Sequence, residues 1–211
     1  MQKLVYSTYL DKVYGGWFGK CLGGVTGAAV EGIKSEIPNA SMRELLIPNV
    51  PNDDLDLQLL WLEVLEKKGP FFTGDDLATA WINQCWYPFG EYGVFTRNFM
   101  RGIHPPLSGK FNNYYFYEGM GCPIRSEIWA MVNPGNPDAA VRFAEIDGTL
   151  DHAGNSVWAE IFLAALESLC FTNDNLHENI LQALTYVTED CKFLRCVKMV
   201  IDEYNKGTSF E

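Results

Sequence analysis

The chain has 211 residues, 47% hydrophobic and 20% charged, enough apolar material for one globular domain with a substantial core. A net charge of −11 with no basic stripe to offset it argues against binding to nucleic acid. No apolar run reaches membrane-spanning length, residues 1–7 lack an apolar signal core, and the six scattered cysteines contain no Cys-x-x-Cys pair, so the expected setting is the reducing cytoplasm without a zinc site or a disulfide framework.

Residues 9–32 have the pattern of a helix in which Gly15, Gly19, Gly23 and Gly27 recur every fourth position, with Gly16 and Gly24 beside them. Each helical glycine costs about 1 kcal/mol relative to alanine, so the stripe implies close backbone approach by a neighbour. A phosphate-cradling loop is the alternative, but the spacing fits neither a Walker nor a Rossmann fingerprint. Residues 33–51 are connecting chain broken by Pro38, Pro48 and Pro51.

Asn52 then stands as an N-cap ahead of a helix over 54–67, whose Leu55, Leu59, Leu62 and Leu65 fall on one face. Asp53, Asp54 and Asp56 crowd into the first turn beside the Asn52 amide. Hard oxygen donors at that density suit Mg²⁺ or Ca²⁺ better than zinc. The same residues also read as an ordinary acidic helix start that complements the macrodipole. Thr73 and Asp76 make a capping box for a helix over 75–86 in just that way.

Residues 87–123 carry Pro88, Pro105 and Pro106, several glycines and the run Tyr114-Tyr115-Phe116-Tyr117. They read as a long irregular segment that either lines a pocket or packs as a surface meander. A helix follows Arg125 and stops before the turn Asn133-Pro134-Gly135-Asn136-Pro137. Further helices are expected over 138–150, 156–169, 176–187 and 192–204. No segment alternates as a strand does, so the expected fold is an all-α globule of roughly eight helices.

Several of these motifs, in this order, resemble the ADP-ribosylglycohydrolase family, all-helical hydrolases that include the dinitrogenase-reductase-activating enzyme. The glycine run that ends in Ala28-Ala29-Val30-Glu31 is similar to the family's first helix. Asn52-Asp53-Asp54 is similar to its Thr/Ser-Asp-Asp motif. Met120 to Arg125 is similar to Asn-Gly-Ala-x-Met-Arg, and Asp147 to His152 to Asp-x-x-x-Thr/Ser-His, with Asp151 at the hydroxyl position. Ile124-Arg125-Ser126-Glu127 and Val132-Asn133-Pro134-Gly135-Asn136-Pro137 are similar to a bacterial branch.

The resemblance implies a pair of Mg²⁺ ions that hold the ribose of an ADP-ribosyl group. It implies Asn52, Asp53 and Asp54 as metal ligands and Glu31 and Asp54 as catalytic residues. His152, Arg125 and Gly121 are its implied substrate-binding residues. The implied substrates are ADP-ribosylated proteins or small ADP-ribosyl glycosides, with no nucleic acid or membrane partner. The family's second acidic motif, Asp-x-Asp-Thr/Ser, has no counterpart after Leu150. Residues 1–211 are therefore expected to form a single all-α domain lacking the family's C-terminal part, with self-association covering what that part would bury. A non-catalytic module holding nucleotide or sugar in a degenerate pocket is the alternative. A terpenoid-synthase diphosphate site is disfavoured, because Asp53-Asp54-Leu55-Asp56 is not Asp-Asp-x-x-Asp and no second acidic cluster faces it.

Overall fold

The computed structural model describes residues 4–35, 52–85, 87 and 89–209. Most of the connecting chain expected over 33–51 lies outside them. The described residues are helical and contain no strand.

Helix α1 spans Tyr6–Ala28 and buries none of its residues completely. Helix α2, Asp53–Lys68, is capped by Asn52, whose side chain accepts from the Asp54 amide, and it ends at Gly69 in a backbone conformation with φ of 64°. A 3₁₀ turn, Gly69–Phe71, leads to α3, Gly74–Gln84, which opens on the expected Thr73–Asp76 capping box.

The buried face of α2 is not the expected one. Leu57, Gln58, Leu60, Trp61 and Val64 point inward, whereas Leu59 is 57% exposed and Leu62 36% exposed. Leucines surround this helix, so their spacing alone does not select a face. Trp61 selects it, by packing 5.7 Å from Trp81 of α3 while Gln58 accepts from the Ile128 amide. Replacing Leu59 by serine should accordingly shift stability by no more than about 0.5 kcal/mol in urea unfolding.

The segment expected to be irregular holds a full helix, α4, Gly90–Met100, and a single turn, α5, Leu107–Lys110. Tyr92, Phe95 and Phe99 recur at helical spacing, but Gly90 and Gly93 and the aromatic-rich flanks obscure it. Tyr92 and Phe95 pack edge-on against Trp81, so tertiary packing rather than propensity fixes α4.

A 3₁₀ turn, Pro123–Arg125, precedes α6, Glu127–Met131. Then come α7, Pro137–Gly148, and α8, Asn155–Cys170. The series ends with α9, Leu176–Leu184, and α10, Lys192–Lys206. Helix α8 is the central element, burying ten residues against α6, α7 and α9. Two apolar clusters flank it. The larger is aromatic, built on Trp61, Trp81, Trp129, Phe72, Phe95 and Phe143. The smaller joins Phe162, Ala165 and Leu169 to α9 and α10. Among the described residues no helix is long and apolar enough to cross a membrane.

Candidate functional site

The start of α2, the end of α1 and the start of α4 converge on a cavity of about 670 Å³. Glu31 and the backbone of Gly23, Gly24 and Gly27 form one wall; Asn52, Asp53 and Asp54 form the next. Glu91 and Tyr92 of α4, with Met120, Gly121 and Ile124, close the far side, and Lys20 reaches in from α1. The structure thus brings Glu31, Asn52, Asp53, Asp54 and Gly121 together around one space.

Among the described residues, close approach to α1 falls beside the glycine stripe rather than on it. A Cβ added at Gly15, Gly19, Gly23 or Gly27 would meet no other atom of the described residues within 4 Å. The close approaches are at the adjacent glycines: a Cβ on Gly24 would run into the Asn52 amide nitrogen, and one on Gly16 would lie 2.6 Å from the end of Met131. Gly24 therefore lets α1 approach the cap of α2, while Gly23 and Gly27 keep the cavity wall free of side chains.

Each acidic group has a distinct environment. Asp53 Oδ2 accepts from the Tyr92 hydroxyl at 2.8 Å. Asn52 Oδ1 accepts from the Asp54 amide at 3.0 Å, so the oxygen expected as a metal ligand is already engaged in capping. Asp54 is half-buried. Burial raises its carboxyl above the usual range; Lys20 opposes this, and Asp53, Glu127 and Glu31 add to it. Lys20 is itself tied to Glu127 at 2.8 Å and to the Ile124 carbonyl. The free energy of the charged Asp54 is thus unfavourable in the protein alone, and a cation beside it would lower it. Two carboxylates and amide oxygens are donors suited to a hard cation. They do not enclose one: among the described residues no three His, Cys, Asp or Glu side chains stand together so as to hold a metal ion.

Arg125 and His152, expected to touch substrate, lie behind the wall. Both are fully buried. Arg125 donates from Nε to Asp147 at 2.9 Å, from Nη2 to Asp151 at 2.6 Å and from Nη1 to the Gly121 carbonyl at 3.0 Å. Its guanidinium lies 5.3 Å from the Trp81 ring. Asp147 also accepts from the Trp129 indole at 2.8 Å. Glu160 of α8 completes the layer; burial first, then Asp147, pushes its carboxyl well above the usual carboxylate range. Burial alone would raise Asp151, but Arg125 and then His152 hold it far below the usual carboxylate range.

Lys20, Glu91 and Tyr92 line the cavity and were not singled out in the sequence. Lys20 is one cation in a glycine-rich helix, and Glu91 and Tyr92 sit on the helix hidden in the apparently irregular segment. No local motif marks any of them, since they meet the site only through long-range packing.

The family model ADP-ribosylglycohydrolase matches residues 6–208, and the chain belongs to that family. That membership supports a function of glycohydrolase type. No curated protein and no solved structure matches the chain.

Proposed function

We propose that the cavity is the site of a Mg²⁺-dependent hydrolase that cleaves the glycosidic bond of ADP-ribosyl groups. The observation that carries this reading is the pairing of Asp53 with the half-buried Asp54 at the head of α2, on one cavity with Glu31, in a member of this family. Asp53 and Asp54 would hold the cation, which supplies positive charge to orient hydroxyl groups and stabilise developing anions. Tyr92 fixes Asp53 by its hydrogen bond, and Lys20 balances Asp54.

Glycosidic cleavage develops positive charge on the sugar ring. Glu31 at the end of α1 is placed to stabilise that charge or to take a proton from water. The side-chain-free wall at Gly23 and Gly27 lets a sugar lie against the α1 backbone. Gly121 lines the same cavity, packed closely against Glu91 and His152.

The test is release of ADP-ribose from a modified protein, with and without Mg²⁺, by the wild type and by Asp54→Asn. A folded-state carboxyl with a raised pKa makes the charged form destabilising above that pKa. Asp54→Asn should therefore leave the unfolding temperature within about 2 °C of wild type, or slightly above it, while removing Mg²⁺-dependent release. A clear fall in unfolding temperature with unchanged release would mean that Asp54 serves only the helix start.

A second reading, a module that holds an ADP-ribosyl or sugar ligand without turnover, is favoured by the failure of the described acidic side chains to surround a cation. ADP-ribose binding without release, in the presence of Mg²⁺, identifies that case.

A further inference from the structure

We propose that His152 is a positioning residue for the cavity and acts on it through Glu91: the buried imidazole, backed by Asp151, holds the Glu91 carboxylate at the cavity surface. The role of the cavity rests on the hydrolase reading above; the His152–Glu91 pairing does not.

The geometry has three parts. His152 is fully buried, with Gly121 between its ring and the cavity, so the imidazole does not itself reach a ligand. Its Nδ1 lies 2.9 Å from Asp151 Oδ1 and its Nε2 3.7 Å from Glu91 Oε1. Neither nitrogen forms an aligned hydrogen bond, so a ring buried this deeply is held by charge on both sides. Glu91 belongs to the cavity wall, and its side chain is 20% exposed.

Glycines clear the space around this contact. A Cβ on Gly121 would run into Glu91 Oε1 and lie 2.8 Å from His152 Cε1. One on Gly119 would touch both groups at ordinary contact distance, 3.7 Å from His152 Nε2 and 3.8 Å from Glu91 Oε1, and is crowded instead by the Phe116 carbonyl at 3.1 Å. One on Gly109 would strike the His152 backbone. Gly121 is thus the position at which a side chain would part the imidazole from Glu91.

The charges agree. The groups that face the imidazole are Asp151, Glu91 and, more weakly, Arg125, which is itself bound by Asp147. Burial works to lower the His152 pKa, but Asp151 and then Glu91 raise it above the ordinary value. Burial likewise works to raise Glu91, but His152 brings it below the usual carboxylate range. Imidazolium and carboxylate therefore stabilise each other. Because the folded-state pKa of His152 is raised, its contribution to stability is complete below the unfolded-state value and is lost as pH rises through the folded one.

The chain has three histidines, so ¹⁵N-histidine NMR with a His152→Gln reference assigns the ring signals by subtraction. The wild-type His152 ring should titrate above the ordinary histidine range, and its titration should move down by about one pH unit in Glu91→Gln. Calorimetry with ADP-ribose is the second measurement. Glu91→Gln and His152→Gln should each weaken binding roughly tenfold, and the double variant no further than the weaker single one. If His152→Gln does not fold, His104→Gln and His177→Gln assign the His152 signal by elimination, and its shift in Glu91→Gln decides the proposal. A His152 titration unchanged by Glu91→Gln, or losses that add in the double variant, overturns the proposal. If the wild type binds no ADP-ribose, the hydrolase reading fails instead, and the titration still decides whether His152 and Glu91 are coupled.

Discussion

Arg125→Met is expected to destabilise the protein by about 3–5 kcal/mol, the cost of leaving buried carboxylates without their counter-charge. Arg125 is the shared partner of Asp147 and Asp151, all three with no exposed side-chain surface. Methionine fills much of the volume between Trp61 and Trp81 but provides none of the three contacts to Asp147, Asp151 and the Gly121 carbonyl. The signature lies in the pH dependence. Asp151 has a depressed folded-state pKa, so its contribution to stability is present above the unfolded carboxylate value and is lost as pH falls toward the folded one. The gap between wild type and Arg125→Met in urea unfolding should thus be widest near neutral pH and narrow in acid. A gap below about 1 kcal/mol at neutral pH would contradict the geometry.

Gly109→Ala is expected to cost about 3 kcal/mol, the upper end for a forced overlap in a packed interior. For a chain of this size that corresponds to a fall of roughly 6–12 °C in unfolding temperature. The added Cβ would collide with the His152 carbonyl oxygen and lie 2.6 Å from the His152 nitrogen and 2.9 Å from the Thr149 oxygen. All three are backbone atoms, so no side chain can swing aside. Gly109 is where α5 sits directly on the 149–152 turn, and that turn delivers Asp151 and His152 beneath the cavity. Gly15→Ala is the control, since among the described residues its Cβ meets nothing and the helix preference for alanine remains.

Local signals in the sequence were read correctly where local physics decides. The Asn52 cap and the Thr73–Asp76 capping box both formed as expected, because each depends on residues within one turn. The placement of Glu31 beside the acidic start of α2 was also legible, though only through the resemblance of the ordered motifs. The buried face of α2 was not, because leucines occur all round it and the choice was made by Trp61 meeting Trp81 from another helix. Helix α4 was hidden for a similar reason: it is held by rings that insert edge-on into a distant tryptophan. The layer behind the cavity was half visible. Arg125, Asp147 and His152 carry recognisable motif positions, but which of them faces the cavity depends on burial that no spacing reveals.

The two sides of the cavity are fastened by different forces. The Asp53, Tyr92 and Gly121 side is anchored in the aromatic core. The glycine side belongs to α1, which reaches the body through Tyr9 on the Met131 carbonyl at 3.1 Å, Lys12 on the Cys170 carbonyl at 2.7 Å and Lys20 on Glu127 at 2.8 Å, with Trp17 packed only in part against the core. Attachments made by ammonium groups weaken as salt rises, whereas burial of aromatic surface does not. Rising ionic strength should therefore loosen the exposed Lys12–Asp174 attachment of α1 first, while the largely covered Lys20–Glu127 pair and the aromatic side of the cavity hold.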